Sequence, residues 1–314
     1  MRRTSRATTF AASGILRATV VFLGTFVLAG CASVVRIAYN NSDIAVRVMA
    51  NEYFDLQGEQ ADLFKVRLTR LHEWHRLEEL PRYAQALDSA ALRVRRGATR
   101  ADVEWAVETI RARYQAFASQ VVDESVAVLV TLTPENIAAL EKKFATSNRK
   151  FEKEYLSGDQ STREAARIET IGDRLEEWLG SISTHQRRLI ADYVRTQPAN
   201  QALRLADRKV RQQELVEILR RERNAGALRA SLHAFFVDYE AQRGAEYARV
   251  WREWQERMVT LIADVLAVAS PAQREYASAR LTRYADDFRA LADEGRERLP
   301  SGTRAAQETT HPGT

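Results

Sequence analysis

The chain of 314 residues is long enough for a substantial core, as one large helical body or two smaller ones, and its 45% hydrophobic residues fit a globular protein. Its formal charge of +5 invites a nucleic-acid or membrane reading, but four of its 47 basic residues, Arg2, Arg3, Arg6 and Arg17, precede Cys31, where no acidic residue lies. The remainder carries 43 basic against 42 acidic side chains, so bulk charge offers no counterion-release drive, and nucleic acid is excluded as the expected partner.

Arg2, Arg3 and Arg6 form a basic opening, and the apolar run from Ala18 to Ala29 is too short to span a bilayer stably. Small residues then precede the cysteine in Val27-Leu28-Ala29-Gly30-Cys31. This stretch resembles the lipobox of bacterial lipoproteins, in which the bond before the cysteine is cut and the cysteine carries lipid. The resemblance implies a signal peptide over 1–30, a lipidated Cys31 with palmitate-type acyl chains, and a membrane partner held through that lipid. The alternative is an ordinary secretory signal with a cysteine beside it by chance. Cys31 is the single cysteine, so once acylated it leaves no thiol for a disulfide, a metal or a nucleophile. Ala32 follows it where an aspartate often signals inner-membrane retention, which points to the periplasmic face of the outer membrane.

The segment 31–42 is short and mixed, and reads as a lipidated N-terminus with a short linker. Asp43 can cap a helix running through Phe54, which Asp55-Leu56-Gln57-Gly58 breaks. Phe64, Leu68, Leu71 and His75 recur at spacings of four, three and four, one face of a second helix that Pro81 is expected to end near Glu79. Tyr83, Ala84 and Leu87 lie on the next, closed by Gly97. Thr99 with Asp102 resembles a capping box opening a long helix with Val103, Val107, Ile110, Tyr114, Phe117 and Val121 on its apolar face.

Thr133-Pro134 starts a helix bearing Ile137, Leu140, Phe144, Phe151 and Tyr155, ended by Gly158. Ile168, Ile171, Leu175 and Trp178 mark another that runs to Gly180, and Ser183 caps one through about Arg195, broken by Pro198. The charged stretch 199–223 reads as a partly exposed helix, with Leu203, Val210, Leu215, Ile218 and Leu219 as its apolar minority. Gly226 interrupts it before Leu232, Phe235 and Phe236. Gly244 precedes Trp251, Trp254, Leu261 and Val265, and Pro271 opens the last helix. No β-alternation of useful length occurs. The expected fold is all-α, an extended antiparallel bundle or array of about ten helices over 43–298, followed by a disordered tail over 299–314.

Four helix starts share a pattern: Leu56-Gln57-Gly58-Glu59-Gln60, Leu132-Thr133-Pro134-Glu135-Asn136, Ile182-Ser183-Thr184-His185-Gln186 and Ala269-Ser270-Pro271-Ala272-Gln273. Three have a hydroxyl cap, an amide three residues later and an apolar residue before the cap, the geometry of a capping box with a hydrophobic staple. The set resembles the Leu-Thr-x-x-Gln motif of small helical periplasmic chaperones of the Spy and CpxP kind. Capping alone also selects these residues, so a structural role weighs ahead of a shared function.

His72-Glu73-Trp74-His75 lacks the spacing of a zincin, and His75 falls in the apolar register, so no metal and no cofactor is assigned. Asp55 with Glu59, or Glu78 with Glu79, could supply paired carboxylates, but as sequence they equally read as caps and solvated charges, and no catalytic residue is named. Trp251 and Trp254 with Phe235 and Phe236 read as core, with an aromatic groove for a peptide or lipid as the alternative.

Arg36-Ile37-Ala38-Tyr39-Asn40-Asn41, Tyr53-Phe54-Asp55-Leu56, Gln60, Trp74-His75-Arg76 with Glu79-Leu80-Pro81-Arg82-Tyr83, Glu154-Tyr155-Leu156 and Gln186-Arg187-Arg188-Leu189-Ile190 are similar to landmarks of a bacterial lipoprotein family known as a domain of unknown function. That resemblance implies a helical, envelope-anchored protein. Tyr39, Asn40, Asn41, Trp74, His75, Arg76 and Glu79 concentrate polar groups that caps do not require close to the tether. The two stretches are expected to pack together, as a binding site or a structural lock, with Arg76 paired to a carboxylate such as Glu79. The expected function is protein binding, chaperone-like or as a scaffold, with an envelope protein partner; a helical enzyme of unfamiliar type acting on an envelope substrate is the alternative.

Overall fold

Capping chemistry sets where this chain turns. The structure, a computed structural model, describes residues 32–197, 200–239 and 243–298. In order, the helices are α1 (Ala32–Asn40), α2 (Ser42–Phe54), α3 (Glu59–Trp74), a π-helical turn (His75–Glu79), α4 (Leu80–Arg96), α5 (Arg100–Leu129), α6 (Pro134–Tyr155), α7 (Gln160–Leu179), α8 (Thr184–Thr196), α9 (Gln201–Arg221), α10 (Ala225–Phe236), α11 (Ala245–Ala267) and α12 (Pro271–Arg298). No strand occurs among the described residues, and the protein is all-α. The signal segment with Cys31, the break at Pro198 and the tail from 299 lie outside the described residues.

Thr99, Thr133 and Ser183 each close a complete capping box, with Asp102, Asn136 and Gln186 answering from the third helical position. Ser270 does the same with Gln273: the Ser270 N–H donates to Gln273 Oε1 at 2.9 Å and the Gln273 N–H to Ser270 Oγ at 3.2 Å. Each box satisfies backbone donors that a helix start otherwise leaves bare. Asp43 is not a cap: Asn41 occupies that place without a side-chain cap bond, and Asp43 in the first turn pairs with Arg47 at 2.9 Å.

Cross-helix contacts show antiparallel pairing. Gln60, Arg67, His75 and Glu79 meet, in descending order, Thr131 in the turn just past α5 and then Glu124, Phe117 and Arg113 of α5. Arg76 and Arg95 meet Leu291 and Glu275 of α12, while Glu141, Asn148 and Glu152 of α6 meet Arg220, Gln212 and Lys209 of α9. The rod made by α3, the π turn and α4 therefore lies along α5 in its first half and along α12 in its second.

Two main cores form. One joins Tyr53, Leu56, Val122, Val126, Leu132, Ile137, Leu140 and Phe144 to Leu215, Leu219, Leu228, Leu232 and Phe235. The other joins Leu179, Ile182, Ile190, Val194, Leu261, Val265 and Ala277. Between α1, α4 and α12 a smaller cluster holds Tyr39, Leu80, Leu291 and Ala292.

Three expectations need correction. The stretch taken as a linker, 31–42, is helical from Ala32 and packs on α12, because Arg36, Tyr39 and Asn40 all find partners in the body. Pro81 does not end a helix: the Leu80 N–H reaches back to the His75 carbonyl, five residues earlier, and this widened turn carries the chain on into α4. A proline ring crowds the carbonyl four residues before it, and a π turn relieves that conflict without breaking the rod. Finally, Ile110 and Val210 are 60% and 68% exposed, so the buried stripe of α5 passes through Ala118, Val122 and Val126, and that of α9 through Leu205, Val216 and Leu219.

Candidate functional site

The π turn brings α1, α5 and α12 to one place. Widening by one residue turns Arg76 toward α1 and α12 and Glu79 toward α5, although three residues normally separate neighbours on one helical face. Arg76 is 5% exposed and Glu79 has no exposed surface.

Arg76 donates to Asn40 Oδ1 at 2.5 Å and to the Leu291 carbonyl at 3.2 Å, and lies 3.7 Å from Glu294. Glu294 also pairs with Arg36 and accepts from Asn40 Nδ2 at 3.3 Å. The guanidinium sits 4.9 Å over the Tyr39 ring, and the Tyr39 hydroxyl is hydrogen-bonded to His75 Nδ1 at 2.8 Å. The His75 ring meets Tyr83 and Phe117 edge-on, at 5.4 and 5.3 Å, and its neighbour Trp74 lies 6.4 Å away. Asn41, between α1 and α2, stands apart, its amide donating to the Ile37 carbonyl at 2.7 Å.

The two stretches thus pack together, but the carboxylate that meets Arg76 is Glu294, not Glu79. Glu79 Oε1 accepts from Arg82 at 2.9 Å and Arg113 at 3.3 Å, and its Oε2 has no partner. Glu78 and Glu79 are both held on Arg82, Glu78 exposed and Glu79 buried, and Asp55 is a left-handed helix terminus while Glu59 faces solvent. Neither pair is arranged to share a reacting proton.

Gly295 allows the closure. A Cβ there would fall 2.6 Å from Arg76 Cδ, closer than real Cβ atoms approach, and a tight 3.2 Å from Leu77 Cδ2. A glycine inside a helix is the usual mark of such an approach, and this was the available signal for a contact that no local pattern announces.

The electrostatics suit a closed joint. Arg36 foremost, then the Asn40 amide, holds the Glu294 carboxyl below its ordinary range, and burial raises the Tyr39 hydroxyl. Burial, followed by the charges of His72 and Arg76, depresses His75 to about 3; burial and then the Arg76 charge lower His72, whose Nε2 is buried without a partner. His75 therefore stays neutral in the fold while the unfolded chain takes up a proton near pH 6.5. Stability should fall as pH drops from about 6.5 toward about 3, by up to roughly 1.4 kcal/mol per unit. Melting temperatures at pH 7 and pH 5 for the wild type and His75→Gln check this. A slope undiminished in the variant would remove His75 as its source.

The four similar helix starts turn out to be paired. Gln60 Nε2 donates to Asn136 Oδ1 at 3.0 Å and to the Thr131 carbonyl at 2.7 Å, while Asn136 Nδ2 donates to the carbonyls of Phe54 and Asp55 at 2.7 and 3.1 Å. In the second core Gln273 Nε2 donates to Gln186 Oε1 at 2.9 Å and to the Ser181 carbonyl at 2.7 Å, and Gln186 Nε2 reaches the Val265 carbonyl at 3.2 Å. Each pair is a clasp between two helix starts, and three of the four amides, Asn136, Gln186 and Gln273, also close capping boxes. The residues that precede the caps, Leu132 and Ile182, enter the two cores as staples.

Trp251 and Trp254 stack at 4.7 Å and continue onto Tyr247, while Phe235 and Phe236 pack on each other and Phe235 on Arg211. These are two separate aromatic sets rather than one groove. Among the described residues no three His, Cys, Asp or Glu side chains group as a metal would need, and no helix is long and apolar enough to cross a membrane.

A family model described as a family of unknown function (DUF6279) matches residues 52–248, which include the π turn and three of the four clasp amides. No curated protein and no solved structure matches.

Proposed function

We propose, for a chain that belongs to the DUF6279 family of unknown function, the role of an envelope lipoprotein that works as a scaffold. Its tether is Cys31, its destination the periplasmic face of the outer membrane, and its partner an envelope protein bound by the helical body. The observation that carries this reading is the position of the lock. The helix that begins one residue after Cys31 is bonded through Arg36, Tyr39 and Asn40 to α12 and the π turn, so a pull or a tilt at the anchor is transmitted to the whole body.

A scaffold role is supported over a chaperone-like one by how the motif amides are used. Gln186 and Gln273 are buried and bonded to each other and to backbone, which leaves them no capacity for a client. It is supported over chemistry by the state of His75 and Tyr39, which are bonded to each other inside the joint.

Cys31→Ser should abolish incorporation of labelled fatty acid and release the protein from the membrane fraction, since acyl chains contribute about 0.8 kcal/mol per buried CH₂. Label retained by the variant would refute the anchor. Pull-down from solubilised membranes with the wild type and with Arg76→Ala then tests the scaffold: a partner that depends on orientation is lost with the lock.

A further inference from the structure

Exposed large apolar side chains are scattered singly over most of the molecule: Val66, Leu92, Ile110 and Val210 each stand alone on their helices, and Val268 just past the end of α11. Such residues are ordinary surface. The first two helices differ. Ile37 on α1 and Ile44 and Val48 on α2 are 62%, 51% and 56% exposed; the α2 pair stand four residues apart on one helical face, and the exposed Asn41 lies at the junction between the two helices.

From Ile37 to Val48 that face carries no charge; the next position in the register, Glu52, is paired with Lys143. The nearest cations are turned aside, Arg36 to Glu294 and Arg47 to Asp43, and the amide of Asn41 is bonded back to the Ile37 carbonyl. The opposite face holds Tyr39, Ser42 and Tyr53, all buried. In a chain with 28% charged residues, an uncharged outer stripe on a helix pair whose inner face is already satisfied has no role in folding.

We propose that this stripe lies in the headgroup region of the bilayer, so that α1 and α2 form a membrane-docking face beside the anchor; the inference rests on the lipidated Cys31. Geometry supplies the occupant. At 1.5 Å per residue Ile37 is only about 8 Å, and Val48 no more than about 24 Å, along the helices from Ala32, so an acylated Cys31 holds the stripe within reach of the headgroups. An interfacial helix lies in the membrane plane with one apolar face sunk a few ångströms. A second protein is a poorer fit, because three side chains offer far less than the ~800 Å² per partner of a stable interface. A bilayer needs no such area here, since the acyl chains supply the affinity and the stripe only sets the angle.

The lock makes that angle consequential. Arg76, Asn40 and Glu294 bond the inner side of α1 to the body, so a bilayer seated on the outer side fixes how the rest of the molecule stands.

The experiment uses the mature, acylated full chain, whose one native thiol is then blocked, so that an introduced cysteine is the sole labelling site. Ile44→Cys and Val48→Cys, with Leu92→Cys and Val210→Cys as controls, carry an environment-sensitive fluorophore in phosphatidylethanolamine and phosphatidylglycerol vesicles with brominated acyl chains. The α2 labels are expected to lose at least about half their emission relative to unbrominated vesicles, as sites at the acyl boundary do, and the controls to lose none. Labels on α2 that match the controls, in protein whose acylated Cys31 peptide is verified by mass, overturn the docking face and leave the anchor standing. An unacylated Cys31 overturns both. Self-quenching of the α2 labels without bromolipid, rising with protein density, would show that a second copy covers the stripe and also overturns the proposal.

Discussion

Arg76→Ala is expected to lower stability by roughly 2–4 kcal/mol, because it strands the Leu291 carbonyl and the Asn40 amide oxygen and leaves a gap where the stem of Arg76 packs against Gly295. For a body of this size that corresponds to a fall of roughly 5–15 °C in melting temperature. Arg76→Lys separates charge from geometry. A lysine keeps the attraction to Glu294 but cannot fork to Asn40 and Leu291 together, so it should recover only a minor part of the loss. Thermal unfolding by circular dichroism checks both. A melting temperature within about one degree of wild type in Arg76→Ala would mean that the joint contributes nothing to the fold.

The second large effect is expected at Gln186, which has no exposed surface. Its side chain answers the Ser183 N–H, the Val265 carbonyl and the Gln273 amide. Gln186→Ala should cost about 3–5 kcal/mol, the sum of a lost cap, stranded polar groups and a cavity. Gln186→Met preserves volume but makes none of these bonds, so it should be nearly as damaging. The clasp reading makes a stricter demand on Gln186→Ala combined with Gln273→Ala. Since each amide is the partner of the other, the double variant should lose at least about 1 kcal/mol less than the two single losses added together. Additive losses in denaturant titrations would mean that the two amides act only as independent caps. The corresponding change at half-exposed Gln60 should be milder, about 1 kcal/mol, because water can replace its bonds.

These two places differ in how far the sequence announces them. The capping boxes at Thr99, Thr133, Ser183 and Ser270 are local devices, complete within four residues, so reading them requires only the order of side chains. Their pairing is another matter. Gln60 and Asn136 lie 76 residues apart, and Gln186 and Gln273 lie 87 apart, and nothing in either segment names its counterpart beyond a shared pattern. At the lock, Tyr39, Asn40, His75 and Arg76 stand out as polar residues with no capping duty, whereas Glu294 looks like any acid on a charged helix. Only Gly295 beside it breaks the pattern. Pro81 misleads for a physical reason: the local rule that proline ends a helix assumes regular turns on both sides, and here a single wide turn absorbs the conflict. Half-exposed stripes were the other failure, since Ile110 and Val210 fit the helical period but the partner helix does not reach them.

The bonds from Arg36 and Asn40 to Glu294 join residues 258 and 254 positions apart. A polypeptide made N-terminus first delivers α1 at the outset and the last turns of α12 at the end, so the joint between them must be the final one to close. Until then Tyr39 and Arg76 have lost part of their surroundings, and α1 can swing about Asn41 with its inner face open. Closing so long a loop carries an entropic penalty that grows only slowly with length, but the wait for the last residues is unavoidable. The molecule consequently reports its own completion: only a chain that has reached its final helix holds its first helix in place, and a product truncated before Glu294 would leave α1 without the partner that fixes Arg36 and Asn40.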